Sequence, residues 1–191
     1  MPDPDPDPDP LATPIRPSGQ PYPVRPPTER DELPAAGLGA PASVPRRAGA
    51  RLVDFVGLSI PVALVTTTLG VEIDADTGRV EGPLWPRFVF PIVFMLYETV
   101  LIGRYGQTVG KALFRIQAVD WGRGGLASYR QAAIRAVVPG VFLLLAVLGG
   151  VLGYLQFVAI VIYLSSLADV LYRGWHDKAA ATIVLSRPRP V

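Results

Sequence analysis

The sequence predicts an all-α membrane protein, a four-span helical bundle with a small cytoplasmic juxtamembrane loop or β element and a disordered N-terminal tail. Hydrophobic residues make up 50% of the 191 residues, and the mean hydropathy is +0.34 although residues 1–45 are polar. Several apolar runs are each long enough to cross a hydrocarbon layer roughly 30 Å thick. Basic residues also concentrate in alternate loops, which is the pattern that orients membrane helices.

The first 45 residues are predicted to be a disordered cytoplasmic tail rich in proline and aspartate. They open with PDPDPDPDP, hold most of the 21 prolines, and carry seven acidic against three basic side chains. Proline blocks helix and sheet ladders, and few apolar residues are present to offset the entropy of ordering the chain. A plain linker is the simpler interpretation, and docking of a cytoplasmic protein partner is the functional alternative.

The first span is predicted at about 50–69, after the arginines Arg46, Arg47 and Arg51. It carries Asp54 just inside the apolar run, where a carboxylate costs about 2 to 3 kcal/mol unless it faces protein or water. Arg51 lies three residues earlier on the same helical face and is expected to pair with Asp54.

The second span is predicted at about 85–102, after the short acidic loop 70–84. Trp85 begins it at the level of an interfacial aromatic belt, and Pro86 is tolerated in a first helical turn. Glu98 lies inside this span, about one turn from its end.

The loop 103–136 is strongly basic, and its composition decides the predicted topology. Because basic loops stay in the cytoplasm, this loop and the N-terminus are placed inside and the acidic loop 70–84 outside. Residues 114–119 alternate like a strand, and Ser128 is expected to cap a short helix. The bases of this loop, which face a single Asp120, are Arg104, Lys111, Arg115, Arg123, Arg130 and Arg135.

The apolar stretch 137–172 is predicted to form two further spans. A single helix of this length would measure about 54 Å, too long for a bilayer. Folding back near 149–154 gives spans at 137–152 and 154–172, and bases at both ends require an even number of crossings. The last segment then includes a strand at 182–185 that can pair with 114–119, and both termini are cytoplasmic.

Three separate motifs give the chain a resemblance to a known family. RRAGARLVD at 46–54, GQTVGKALFRIQAVD at 106–120 and WHDKAAATIVL at 175–185 resemble the RDD family of small integral membrane proteins. The resemblance covers 46–186 and leaves a short tail at 187–191, and Phe55 stands where many members have a second acidic residue. It implies an integral membrane protein with a role in transport, and it names no substrate. The positions that match the family motifs are Arg46, Arg47, Asp54, Gln107, Thr108, Gly110, Lys111, His176 and Asp177.

Three carboxylates inside or near the spans form the candidate site. Asp54, Glu98 and Asp169 are all placed near the inner leaflet by counting turns from the helix ends. A cation or proton site is the functional interpretation, because burial raises a carboxylate pKa and a nearby arginine lowers it. Static ion pairs that lock the helix ends together are the alternative. The bases expected to pair with these carboxylates are Arg47, Arg51, Arg104 and Arg173.

Other motifs carry no enzymatic chemistry. GQTVGK at 106–111 is one residue short of a phosphate-binding loop and has Ala112 where serine or threonine should stand, so nucleotide binding is rejected. Thr108 is expected to cap a short helix whose Lys111 and Arg115 meet anionic headgroups. His176 beside Asp177 is expected to be a structural or pH-sensitive contact. With no cysteine and one histidine, no metal, cofactor or catalytic site is predicted.

Two hypotheses for function follow. The first is a cation-coupled or proton-coupled transport module of the cell membrane, working as a homo-oligomer through Asp54, Glu98 and Asp169. The second is a non-catalytic scaffold or assembly partner that recruits proteins through its cytoplasmic face and its tail. The expected partners are a bilayer with anionic headgroups and, for the scaffold, a cytoplasmic protein; no nucleic acid is expected.

Overall fold

The computed structural model describes residues 29, 31–37, 39–77 and 80–187. It is mostly helical, with four helices that are long and apolar enough to cross a membrane, and the predicted fold class is thereby confirmed. These four segments are Val44–Thr68, Trp85–Tyr105, Tyr129–Ala146 and Gly150–Ala168. Most of their apolar side chains lie on the outside of the bundle, as the lipid-facing surface of a membrane domain requires.

The four segments are built from helices α1 (Val44–Thr68), α2 (Val89–Tyr105), α4 (Tyr129–Ala146) and α5 (Leu155–Leu164). Short 3-10 turns extend α2 at its start and α5 at both ends. Two five-residue helices, α3 (Val109–Leu113) and α6 (Trp175–Ala179), lie outside the spans. The strands are β1 (Glu72–Ile73), β2 (Val80–Glu81), β3 (Ile116–Asp120) and β4 (Thr182–Ser186).

The two ends of the bundle differ. At one end, β1 and β2 form a two-residue antiparallel hairpin between α1 and α2, and we call this the hairpin end. At the other end, β3 and β4 pair antiparallel beside α3 and α6, and we call this the sheet end. The pairing runs from Ile116 opposite Ser186 to Asp120 opposite Thr182, so the predicted pairing of these two segments is confirmed.

Part of the predicted N-terminal tail contacts the β3–β4 sheet. The backbone N–H groups of Gly39 and Ala42 donate to carbonyls of β4, and the N–H of Ser186 donates to Ala40. Leu33 packs in an apolar cluster with residues of β3 and β4. The segment 39–42 therefore pairs with the edge of β4 that β3 leaves open. The predicted tail boundary at residue 45 stays a prediction, and the predicted disorder at 1–28, 30 and 38 lies outside the described residues.

Helix α4, which forms the third span, begins earlier than the predicted span at 137–152. Ser128 is its N-cap, and it forms a capping box with Gln131, but the helix continues without a break to Ala146. The predicted short helix ending at Arg135 is therefore wrong, because this arginine is buried among carboxylates instead of exposed in a loop. The chain reverses at 147–149, where Gly149 adopts a positive φ of 74°.

Helices α1 and α5 pack separately on a central pair of helices, and the Arg51 guanidinium of α1 lies 4.5 Å from the ring centre of Tyr163 on α5. Helices α2 and α4 pack against each other most extensively, α1 packs on α2 and α3, and α5 packs on α4 and α6. Gly110 allows α3 to approach α1, since a Cβ at this position would overlap the carbonyl oxygen of Ala50. A buried apolar cluster joins the helices to the sheet and contains Ala42, Ala50, Ile102, Ile116, Ala118, Ala127, Ala132 and Val184.

Candidate functional site

Glu98 is the centre of a buried ion network at the sheet end. It lies on α2 and is 1% exposed. Arg51 of α1 binds both of its carboxylate oxygens, with N–O distances of 2.6 and 2.5 Å. Lys111 Nζ and Arg135 Nε each lie 3.5 Å from Oε1 of Glu98. One carboxylate therefore faces three cations that are supplied by α1, α3 and α4, and the fork geometry makes the arginine pair the strongest of these contacts.

Asp177 is the second buried carboxylate of the network and is fully enclosed. Arg47 Nη1 lies 2.9 Å from its Oδ2, Arg135 Nη1 pairs with its Oδ1, and the backbone N–H of Gly174 donates to it over 3.2 Å. Burial raises the pKa of Asp177, but the charges of Arg135 and Arg47 outweigh this and hold the pKa below its usual range. Arg135 contacts both carboxylates and joins the two halves of the network.

Asp54 has a different environment from the one predicted. Its carboxylate accepts hydrogen bonds from the hydroxyls of Tyr97 and Thr108, at 2.7 and 2.5 Å, and from the N–H of Gly110, at 2.7 Å. Within the described chain no base lies at ion-pair distance from it. The expected pair with Arg51 is wrong, because the guanidinium turns across to α2. Three neutral donors satisfy the Asp54 carboxylate instead.

Two of the family motifs meet at α3. Thr108 and Gly110 donate to Asp54 from the second motif, while Lys111 of the same motif reaches Glu98. Thr108 also caps α3, as predicted, through Lys111 N. The expectation that Lys111 meets headgroups is wrong, since the residue is 3% exposed and faces the network.

Asp169 does not join the other two carboxylates. The last turn of the fourth span ends at Ala168, so Asp169 lies beyond it instead of one turn inside. Its partly exposed carboxylate pairs with Lys178 at 2.6 Å and accepts from the N–H groups of Leu171 and Arg173. Burial raises the pKa of Asp169, but its hydrogen bonds with Lys178 and Arg173 outweigh this and lower it. Asp169 caps a turn, apart from the network.

Two of the four predicted bases lie outside the network. Arg104 is exposed at the end of α2, with its guanidinium 6.0 Å from the ring centre of Tyr105. Arg173 donates to the carbonyl of Thr182 and stacks 4.0 Å over Trp121. The predicted pairing of Arg104 and Arg173 with the membrane carboxylates is therefore wrong, whereas Arg47 and Arg51 do hold buried carboxylates.

The other motif residues have supporting positions. Arg46 donates to the hydroxyl of Ser186 over 2.7 Å and to the carbonyl of Phe114 over 2.5 Å, so it ties α1 to the sheet. Gln107 is half-buried in the turn between α2 and α3.

His176 is buried and uncharged. It is 4% exposed, its Nε2 lies 3.5 Å from Oδ1 of Asp177, and its ring meets Tyr163 edge-on at 4.9 Å. Burial lowers the pKa of His176 to about 3; the attraction of Asp177 opposes this, and repulsion from Arg135 adds to it. The adjacent His176 and Asp177 are thus a packed contact at the start of α6, in agreement with the structural interpretation.

Lys111 is the basic group of the site that changes charge near neutrality. Burial lowers its pKa to about 7, repulsion from Arg51 adds to this effect, and attraction to Glu98 opposes it. The arginines of the network stay charged, since a guanidinium keeps its proton up to a pH of about 12 or more.

Sequence reasoning missed Arg135 as a member of the site. The sequence places Arg135 in the cytoplasmic loop, because the predicted third span begins after this residue. Counted from the capped start of α4, Arg135 lies about 9 Å along the helix, and Glu98 lies about 10 Å from the end of α2. The two side chains are thus at a common depth, and the Ser128 cap was the signal that could have shown it.

The network forms one wall of an open cleft between α1 and α5. The cleft has a volume of about 520 Å³, and α2 and α4 form its floor. Its polar wall contains Arg47, Arg51, Lys111, Arg135 and His176, and most of the rest is apolar. No carboxylate in the described part of the chain lines it. The described residues also contain no group of three or more acidic or histidine side chains that could hold a metal ion.

Comparison with known proteins gives one match. The family model described as RDD family matches residues 41–181, a range that contains α1 to α6, both buried carboxylates of the network and Asp54. Searches of curated proteins and of solved structures returned no match. All three sequence motifs lie in or overlap the matched range.

Proposed function

The chain belongs to the RDD family, and on that premise we propose that it is a non-enzymatic transport module of the cell membrane, coupled to protons. The observation that carries the proposal is the position of Lys111. This side chain is 3% exposed, lies 3.5 Å from Glu98, and lines the cleft. A group that changes charge at the wall of a cleft can link proton binding to the binding of a solute.

Lysine is the suitable carrier in this network. Glu98, Asp54, Arg51 and Arg135 surround Lys111 from α1, α2 and α4, and none of the arginines can release a proton near neutral pH. When Lys111 loses its proton, Glu98 keeps its bidentate bond to Arg51. The ammonium contact is lost while the rest of the network is retained, so one arm of the wall is free to move.

A proton is favoured over a metal cation as the coupled ion. A metal cation at Asp54 would have to displace Tyr97, Thr108 and the N–H of Gly110. At Glu98 it would have to displace Arg51, whose bidentate bond is charge-assisted. A proton on Lys111 needs neither displacement.

Flux in proteoliposomes tests the proposal. The protein is reconstituted with an entrapped pH-sensitive dye, and proton movement is recorded after a potential is applied. Lys111→Met should reduce protein-dependent proton flux by about tenfold or more. The variant lacks the group that lowers the barrier to proton transfer, and a barrier higher by about 1.4 kcal/mol slows the flux tenfold. Lys178→Met is the matched control, since Lys178 is the other lysine of the chain and is half exposed. Equal flux in wild type and Lys111→Met would contradict the proposal.

The second candidate function is a membrane scaffold. The observation that favours it is that Glu98 and Asp177 are each held by more than one cation, which is the pattern of a static lock. On this account the wild type moves no protons, and proteins that co-purify with the full chain are lost when residues 1–40 are removed. Flux in the wild type with no such partners contradicts the scaffold.

The proposed orientation places the sheet end and both termini in the cytoplasm. Basic residues of the loop 103–128 support it, as do Glu72, Asp74 and Asp76 at the hairpin end. The chain has no cysteine, so Asp76→Cys and Gly125→Cys each create one label site on an exposed residue. An impermeant reagent should label Asp76→Cys in intact cells and Gly125→Cys only after permeabilisation. The reverse result contradicts the orientation.

A further inference from the structure

The cleft between α1 and α5 has the outline of a site for a molecule with one charged end. Helix α1 packs on α2 and α3 whereas α5 packs on α4 and α6, so the cleft opens sideways between two membrane helices. A cavity of about 520 Å³ is within the usual size range of ligand sites. An opening at membrane depth is reached from the lipid phase.

The charged end of the cleft is cationic. The side chains of Arg47 and Arg51 are 12% and 17% exposed, so each remains accessible from the cleft. Glu98 and Asp177, which neutralise part of this charge, lie behind the arginines and do not line the cleft. An anion that enters therefore meets guanidinium groups before it meets a carboxylate.

Two buried polar atoms of the cleft lining have no hydrogen-bond partner. They are Arg135 Nε and His176 Nδ1, on residues that are 2% and 4% exposed. Arg135 Nε lies 3.5 Å from Glu98, but the geometry does not make a hydrogen bond. Both residues line the cationic end of the cleft, so unused hydrogen-bonding capacity remains at this end.

The remainder of the cleft is apolar and extends away from the charges. Phe55 lies one turn beyond Arg51 on α1, and Leu143 lies about two turns beyond Arg135 on α4. Phe90 and Ile160 continue the same wall from α2 and α5. A small inorganic anion would leave this wall without a partner, whereas a hydrocarbon chain would cover it.

The depth of the cationic end of the cleft along α1 fits the headgroup of a lipid. Arg51 lies about 10 Å along α1 from its start at the sheet end, close to where headgroups give way to hydrocarbon. A lipid of the sheet-end leaflet would thus have its head at the cations and its chain toward the bundle centre.

We propose that the α1–α5 cleft binds an anionic phospholipid, with its phosphate at Arg47 and Arg51 and one acyl chain along Phe55, Phe90 and Ile160. The proposal does not depend on transport, because a lipid bound at this place could equally be a substrate or a permanent component.

Native mass spectrometry of the detergent-purified full chain tests the proposal. The probes are phosphatidylglycerol and phosphatidylcholine with identical acyl chains. We expect phosphatidylglycerol to be retained about tenfold more tightly, a difference that corresponds to about 1.4 kcal/mol. Equal retention of the two lipids overturns the proposal.

A pair of substitutions on α5 locates the site. Ile160→Trp fills the apolar part of the cleft without contacting the ion network, and Val161→Trp places the same ring on the neighbouring residue, which is equally exposed and lies outside the cleft lining. Ile160→Trp should reduce phosphatidylglycerol retention by about tenfold or more, and Val161→Trp should not. A cooperative thermal unfolding transition in each variant serves as the control that both variants are folded. Retention unchanged in Ile160→Trp overturns the proposal.

Two further outcomes identify other occupants. If inorganic phosphate alone raises the unfolding temperature as much as phosphatidylglycerol, and Ile160→Trp keeps that effect, the site binds a free anion and the lipid proposal is wrong. If the wild type is dimeric and Ile160→Trp is monomeric, a second copy of the chain covers the cleft, and the proposal is equally wrong.

Discussion

Gly110 and Lys111 are adjacent residues with complementary roles in the site. The glycine lets the backbone of α3 contact α1, so that its N–H reaches Asp54, and the lysine then points to Glu98. A side chain at position 110 would push α3 away and misplace both contacts. The GQTVGK motif thus packs α3 against α1 beside the ion network.

Gly110→Ala should destabilise the protein by about 1 to 3 kcal/mol, because the added methyl group overlaps the Ala50 carbonyl and cannot be relieved by a side-chain rotation. The matched control is Gly57→Ala in α1, where a Cβ meets nothing within 4 Å. That change should be neutral or stabilising by about 0.5 to 1 kcal/mol. Thermal unfolding in detergent measures both. Equal unfolding temperatures for the two variants would show that α3 is not held tightly against α1.

His176 predicts a loss of stability in mild acid. Its folded pKa is lowered by burial to about 3, below the unfolded value of about 6.5, so the unfolded state takes up a proton first as the pH falls. The free energy of unfolding should therefore fall by up to about 1.4 kcal/mol per pH unit below pH 6.5. His176 is the single histidine of the chain, so no other histidine contributes to the change of unfolding free energy between pH 6.5 and 5.

His176→Phe keeps an aromatic ring against Tyr163 and removes the titrating group. Unfolding of this variant should be nearly independent of pH between 6.5 and 5, whereas the wild type loses stability over the same interval. A slope that persists in His176→Phe would place the acid sensitivity elsewhere.

Helix α4 is the element on which the charged network depends, since it delivers Arg135 to both Glu98 and Asp177. Its start is fixed by the capping box of Ser128 and Gln131. Ser128→Ala should cost about 1 kcal/mol, because the backbone N–H of Gln131 loses the hydroxyl that accepts its hydrogen bond. Ser43→Ala is the control: Ser43 is the N-cap of α1 but makes no side-chain cap hydrogen bond, and little change is expected. Chemical or thermal unfolding that ranks the two variants equally would contradict this difference.

The sequence predicted the type of each helix or strand better than the residues at which the element begins and ends. The alternation at 114–119 and the segment 182–185 correctly predicted a strand pair, although apolar side chains of β4 are buried on both of its faces. The predicted start of the third span is wrong, because a charged residue beside an apolar run predicts the end of a membrane helix. Burial of Arg135 between two carboxylates removes that penalty, and a single helix cannot reveal partners on other helices.

The whole molecule is organised by the network that links α1, α2, α3, α4 and α6. Glu98→Gln should destabilise it by about 3 to 5 kcal/mol, since three buried cations lose their counter-charge. Adding Lys111→Met to Glu98→Gln removes one of these cations and should recover part of the loss. Unfolding free energies of the two single variants and the double variant give the coupling energy. A double variant whose loss equals the sum of the single losses would mean that Lys111 and Glu98 do not interact.

The candidate site was only partly predictable for the same reason. The sequence indicated Asp54, Glu98, Arg47 and Arg51 as buried charged groups, from apolar surroundings and helical spacing. It paired Arg51 with Asp54, its neighbour on α1, whereas α2 brings Glu98 closer and α3 satisfies Asp54 with neutral donors. Which base pairs with which carboxylate depends on how the helices pack against each other. The spacing of residues along one helix does not contain that information.

Proton coupling through the network requires a buried lysine that changes charge near neutral pH, and lysine-selective NMR measures this charge. The chain has two lysines, Lys111 and Lys178, so ¹³Cε-labelled lysine gives two resonances, and Lys111→Met assigns them. We predict that the Lys111 resonance titrates near pH 7, because burial lowers the pKa of this side chain. A Lys111 resonance that titrates near the ordinary lysine pKa of about 10.4 would show that this lysine stays charged at neutral pH and does not carry the proton.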